Sequence, residues 1–250
     1  MLQTERIIGG SQASQEQSPW AAALYNDDTF TCTASIISTT AILTAAHCVV
    51  LNGVQMQPNE FNAIVGNVNR SASGAQQIFF RKITVHPQYN SAQQQNDLAI
   101  LETTQPIKFS DTVKRICIAD SNIGSLLLKK VTAMGWGQTT RENENNVYPE
   151  TLRYVRQRVV SNFNCMVLYL GKTVPDTLLC ASGILSGACS GDSGGPLVYY
   201  IGRQPVQVGV ASFANAIFGC GTKLGPAGFT RVSSYNDFIM NTATGNVCVV

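Results

Sequence analysis

Gly191-Asp192-Ser193-Gly194-Gly195-Pro196 is the stretch on which the reading of the fold turns. A serine hydroxyl is a poor nucleophile until a base takes its proton and hydrogen-bond donors meet the developing oxyanion. Glycines on either side of Ser193 let a substrate come close and let backbone N–H groups converge on one point. A glycine-rich turn without chemistry is the plainer reading of the same residues. The two histidines of the chain, His47 and His86, decide between them.

Gly191–Gly195 also satisfies G-x-S-x-G, the nucleophile elbow of α/β-hydrolases, a fold whose histidine follows the serine. Both histidines here precede Ser193, which excludes that fold unless it works without a histidine base. His47 lies in Thr44-Ala45-Ala46-His47-Cys48, where small alanines leave room for the ring and a disulfide at Cys48 would hold it still. His86 precedes Pro87, which biases it to an extended or turn backbone and to a surface role. An acid must orient the base through its far nitrogen. Asp97, directly before the apolar run Leu98-Ala99-Ile100-Leu101, is the candidate. Asp27 and Asp28 sit in a polar turn and rank below it.

The 250 residues suffice for one or two domains, and the composition, 44% apolar and 13% charged, is that of a folded protein with a large core. A formal charge of +2 with no basic run gives nucleic acid no footprint, and the apolar runs are too short for a membrane span. The cysteines, Cys32, Cys48, Cys117, Cys165, Cys180, Cys189, Cys220 and Cys248, are even in number and contain no Cys-x-x-Cys pair. Disulfides in an oxidising compartment fit better than zinc. Met1–Arg6 has no apolar leader core; either a leader has been removed or Met1 marks a start codon. Short β-branched runs separated by turn residues predict strands at Ser35–Leu43, Phe61–Val68, Gln77–Val85, Leu98–Glu102, Val131–Trp136, Pro196–Ile201 and Gln207–Ser212. One helix is expected late, capped by Ser233 or Ser234, with Tyr235, Phe238 and Ile239 on one face.

Taken together, the chain resembles the chymotrypsin family of serine proteases. The order His47, Asp97, Ser193 is the family's, and Arg6-Ile7-Ile8-Gly9-Gly10, Thr44–Cys48, Asn96–Leu101, Gly135-Trp136-Gly137 and Gly191–Pro196 match its motifs almost end to end. The resemblance implies an all-β fold of two six-stranded antiparallel β-barrels with a C-terminal α-helix: an activation segment at residues 1–6, barrels over 7–115 and 116–232, and the helix over 233–245. It implies a serine endopeptidase acting on protein and peptide substrates without a cofactor. Ser193 would attack the scissile carbonyl, His47 act as base and Asp97 orient it, with the N–H groups of Gly191 and Ser193 as oxyanion hole. Ser212 matches the position that supports the aspartate.

The same resemblance pairs Cys32 with Cys48, Cys165 with Cys180 and Cys189 with Cys220. Cys117 and Cys248 then remain to pair with each other, with an intermolecular bond at Cys117 as the alternative. Relatives often carry a further bridge at the positions of Lys130 and Tyr199. The Arg6–Ile7 bond matches the activation site, whose freed amine pairs with the acid at Asp192. Some relatives hold that acid before cleavage with a histidine and a serine; Phe30 and Ala23 stand there, so backbone or solvent is expected to hold Asp192 instead. Gly187 stands where trypsin-like members carry aspartate. With Ala188, Ser190, Ser212, Phe213, Ala214 and Ala227 it would line a pocket for apolar residues, chymotrypsin-like first and elastase-like second. Activation after Arg6 would then need a separate trypsin-like protease, and protein inhibitors are possible partners. Phe213 replaces a usual tryptophan, and Asn67 replaces a calcium-loop glutamate, so no metal is expected. The expected setting is secreted, extracellular and digestive, without nucleic-acid or membrane partners. A regulatory cascade protease and a non-catalytic homologue acting as a binding protein are the alternatives.

Overall fold

The computed structural model describes residues 10–138, 148–171, 173–183, 187–214 and 225–250. Six strands form the first barrel: β1 (Ala21–Asn26), β2 (Thr29–Ile36), β3 (Ala41–Thr44), β4 (Phe61–Val65), β5 (Gln76–Val85) and β6 (Ala99–Thr103). They close in the order β1-β2-β3-β6-β5-β4. The second barrel is built from β7 (Lys130–Gly135), β8 (Arg153–Val160), β9 (Leu178–Ser182), β10 (Pro196–Ile201), β11 (Gln204–Phe213) and β12 (Ala227–Arg231). Its order, β7-β8-β9-β12-β11-β10, repeats the first barrel's strand for strand. Both are antiparallel throughout.

Alternation makes these strands. In β8, Val155, Gln157 and Val159 are buried while Arg156 and Arg158 face water, the period-two pattern of a half-buried strand. Phe61, Leu43, Ile100 and Leu101 fill the first core with essentially no exposed surface. Each such side chain contributes roughly 1.5–3 kcal/mol by leaving water. Phe229, Leu197 and Val208 do the same in the second.

Several elements depart from the sequence expectation, among them strands β1, β8, β9 and β12, which lie outside the stretches named above. Ser35–Leu43 is not one strand: β2 ends at Ile36, and the bends at Ser38–Thr40 return the chain as β3. A second helix, α1 (Asn162–Leu168), follows β8, with the Ser161 side chain accepting from Asn164 N–H as its cap. The late helix is α2 (Asn236–Thr242). A 3₁₀ turn over Val232–Tyr235 precedes it and contains Ser233 and Ser234, so neither caps it. Tyr235 and Ile239 pack into the first barrel's core, with Phe238 against it. The Cys117–Cys248 disulfide ties the tail to the segment joining the barrels.

Candidate active site

His47 sits on a 3₁₀ turn (Ala46–Cys48) just after β3, and the Cys32–Cys48 disulfide fastens that turn to β2. Asp97 stands before β6 and is 2% exposed. Its carboxylate accepts two hydrogen bonds from His47, from the backbone N–H at 2.9 Å and from ring Nδ1 at 2.7 Å. Two further donors come from the second barrel: Ser212 Oγ to Asp97 Oδ2 at 2.6 Å, and Thr230 Oγ1 to the Asp97 carbonyl at 2.9 Å. Asp97 is therefore fixed at the seam of the two barrels. Burial alone would push the His47 pKa down, but the hydrogen bond and charge of Asp97 outweigh it and raise the value above 6.5.

The Gly191–Pro196 turn arrives from the second barrel and docks on the same strands. Thr33 N–H on β2 donates to the Ser193 carbonyl at 2.9 Å, and Thr33 Oγ1 to the Gly191 carbonyl at 3.0 Å. Gly194, at φ +77°, lies so close to Thr44 and Ala45 that a Cβ there would overlap Thr44 Oγ1 and the Thr33 carbonyl. Ser193 is thereby carried to the chain segment that bears His47. No hydrogen bond joins Ser193 to His47 among the described atoms; such contacts commonly tighten only with substrate in place. Among the described residues the N–H groups of Gly191 and Ser193 have no hydrogen-bond partner.

Asp192 points the other way, into the protein. Its carboxylate is 2% exposed and accepts hydrogen bonds from Gly137 N–H and Cys189 N–H, both at 2.8 Å. Burial pushes its pKa up to about 7 against the lowering effect of these two donors. No cation lies against it among the described residues. Gly135 and Gly137 make the space, since a Cβ at either would overlap the carboxylate. Phe30 and Ala23 are both buried, in a cluster with Trp136, and neither bonds Asp192. Arg6 and Ile7 lie outside the described residues.

Gly187, Ala188, Ser212 and Ala227 are buried, and Phe213 and Ala214 are half-buried, whereas Ser190 is exposed. The Phe213 ring covers Gly228 so closely that a Cβ there would strike it, and Tyr169 meets Phe213 edge-on at 5.5 Å. The Tyr169 hydroxyl donates to the Pro226 carbonyl at 2.6 Å, bracing that wall. The structure also joins Cys165 to Cys180, and Cys189 is disulfide-bonded; its expected partner Cys220 lies outside the described residues. Cys32 and Cys48 cluster with His47, but their sulfurs are bonded to each other and offer nothing to a metal.

Sequence reasoning missed Arg70. Its guanidinium donates to the carbonyls of Pro149 and Tyr148 and to the Tyr25 hydroxyl, at 3.1–3.2 Å, and stacks on Phe30 at 4.7 Å. The Tyr148 ring in turn abuts Gly191. A cation thus ties the loop after β4 to a neighbour of the Gly191 N–H. His86 is not a bare surface histidine either: it lies edge-on between Tyr235 and Phe238.

A family model described as Trypsin matches residues 7–239. The chain belongs to the trypsin family of serine proteases. It is 33% identical over 247 residues to Chymotrypsin-C of Rattus norvegicus, covering 94% of this chain and 87% of the relative. It is 31% identical over 242 residues to Trypsin alpha of Drosophila erecta, covering 95% and 88%. It is 30% identical over 239 residues to Transmembrane protease serine 11G of Mus musculus, where 94% of this chain spans only 54% of the relative's length. Among the described residues no helix is long and apolar enough to cross a membrane. Membership carries hydrolysis of peptide bonds in protein substrates as the family's chemistry.

Proposed function

We propose that this chain is the precursor of a secreted serine endopeptidase with an apolar-selective pocket. Ser193 is the nucleophile, His47 the general base and Asp97 its orienting acid. The observation that carries the reading is the buried Asp97 carboxylate, bonded at once to His47 Nδ1 and Ser212 Oγ across the barrel seam. That bond fixes the imidazole tautomer, leaving Nε2 to take the serine proton. The N–H groups of Gly191 and Ser193, unpartnered among the described residues, then stabilise the tetrahedral oxyanion. Removing one such donor typically costs about 3–4 kcal/mol of transition-state binding.

Activation is cleavage of Arg6–Ile7, which supplies an ammonium to Asp192. A buried carboxylate whose partners among the described residues are backbone N–H groups alone supports that step, because a charge in such a place is tolerable chiefly when paired. Gly187, Ala188 and Ala227 offer no charge to a substrate cation, which supports preference for apolar residues, chymotrypsin-like before elastase-like, and a separate trypsin-like activator. Three disulfides between described cysteines support an oxidising, extracellular setting; a digestive role is the simplest assignment. Ile116 N–H still donates to Ile36 of β2, whereas Cys117 and Ile118 pair with Val206 and Gln207 of β11, which supports a boundary between barrels just after residue 116, one residue beyond the expected one.

The test is to cleave the precursor with trypsin and assay peptides bearing Phe, Leu, Ala or Arg before the scissile bond. Cleavage after Phe or Leu that vanishes in Ser193→Ala is expected. Activity surviving Ser193→Ala would sink the mechanism, and equal cleavage after Arg would sink the pocket assignment.

A further inference from the structure

On the outer wall of the second barrel β7 and β10 diverge. They pair only at Thr132↔Val198 and Ala133↔Leu197, whereas β7 pairs β8 along its whole length. Beyond Thr132 the backbone of Lys130 and Val131 has no strand partner on the β10 side. Over this wedge and the outer face of β8 lies a groove of about 540 Å³. Its position coincides with Lys130 and Tyr199, which both line it.

The charge of this groove is one-sided. Lys129, Lys130, Arg156 and Arg158 line it, and none of the described lining residues is acidic. Lys130 stands directly across from Arg158 in the β7–β8 ladder, and Arg156 is opposite Thr132. Like charges set opposite each other across strands destabilise a sheet. The surface therefore holds a repulsion that a bound anion would relieve. The floor is of another character: Met134 is buried beneath it and the exposed Tyr200 side chain forms one lip, while Val131 and Tyr199 turn inward to the second core. Arg156 lies over the Tyr154 ring, its guanidinium carbon 5.6 Å from the centroid, at the groove wall.

The geometry points to a docking groove for an acidic peptide segment with an apolar anchor residue. Carboxylates meet the four cations, an apolar side chain fills the space above Met134, and the peptide backbone pairs with the open edge of β7. A sulfated glycan would satisfy the cations but neither the apolar floor nor the strand edge. None of the groove residues belongs to the candidate active site, so a segment held here acts as a second foothold for a protein that also enters the cleft.

The experiment uses the full chain with Ser193→Ala, so that the probe is not cut. Three fluorescent probes are compared by anisotropy at physiological salt: a hexapeptide of four Asp and Glu residues with one Phe and one Leu, its Asn/Gln counterpart, and a heparin hexasaccharide. The acidic peptide is expected to bind, and to bind at least about tenfold more weakly to chain also carrying Lys130→Glu and Arg156→Glu, as befits loss of complementary charge. Tyr200→Ala should weaken it while leaving the fold unchanged by circular dichroism. In a chain with Ser193 intact, Lys130→Glu/Arg156→Glu should leave hydrolysis of a short peptide unaltered. Equal binding of the neutral peptide, no binding of the acidic one, indifference to the charge reversal, or binding of the hexasaccharide alone would each overturn the proposal. The readout is binding, so its failure leaves the protease reading untouched.

Discussion

Replacing Asp192 by asparagine in the uncleaved chain should flatten the dependence of stability on pH. Asp192 is wholly enclosed, and its pKa rises from the ordinary 3.8 to about 7 because burial disfavours the anion more than two backbone donors favour it. Between those values the folded chain binds a proton that the unfolded chain has released. The contribution of Asp192 to stability is then full below pH 4 and is lost as pH rises towards 7, the direction linkage demands when the folded state holds more protons. The distance between the two values corresponds to about 4 kcal/mol, at 1.36 kcal/mol per pH unit, a substantial part of the 5–15 kcal/mol typical of a folded protein. His47 adds a loss in the same direction, but only as pH climbs past 6.5. The assay is urea unfolding from pH 4 to 8 of the precursor carrying Ser193→Ala, with and without Asp192→Asn. The substitution surrenders one acceptor, a pH-independent cost of about 1–3 kcal/mol. The two profiles should therefore cross, the unsubstituted chain being the more stable at the acid end and the less stable at the alkaline end. Cleaving Arg6–Ile7 in the chain that keeps Asp192 should remove most of the loss. Parallel profiles with and without Asp192→Asn, or a precursor whose stability does not fall in this window, would refute the reasoning.

Ser212→Ala strips a donor from a buried carboxylate, and about 1–3 kcal/mol is expected from such a loss; kcat should fall while KM holds, read by steady-state kinetics. Gly137→Ala should destabilise the fold, since its Cβ overlaps the Asp192 carboxylate, and overpacking of this kind commonly costs about 1–3 kcal/mol or more. Thermal unfolding of the Ser193→Ala chain checks it. Arg70→Ala removes three charge-assisted hydrogen bonds, each worth about 1.5–3 kcal/mol at most. Its cleaved enzyme should lose kcat more than affinity for a ground-state peptide, because Tyr148 no longer steadies Gly191. A change confined to KM would remove Arg70 from any positioning role.

What can be read from the sequence follows the range of the interactions. His47, Asp97 and Ser193 sit in contiguous motifs whose chain order alone separates two folds, and Pro196–Ile201 is a strand at the expected residues. β8 escapes such a reading although its alternation is strict, because Arg153, Arg156 and Arg158 give it the polarity of a loop. α1 is seven residues long, too short for helical periodicity to speak, and only the Ser161 cap announces it. Arg70 gives no signal: its partners lie 45, 78 and 79 residues away, and nothing local distinguishes it from a solvated arginine. The groove between β7 and β10 is equally silent, because it arises from strands that fail to pair, and sequence patterns report only where pairing is favourable.

The placement of Asp97 at the seam has a consequence for the chain during its own synthesis. His47 and Asp97 emerge with the first barrel, but Ser193, Ser212 and Thr230 follow more than ninety residues later, and the bonds from Ser212 and Thr230 to Asp97 form only once β11 and β12 have docked. On the proposed assignment, a half-made chain holds a base without a nucleophile. On that same assignment, the order in which strands leave the exit tunnel delays assembly of the triad until the second barrel has folded.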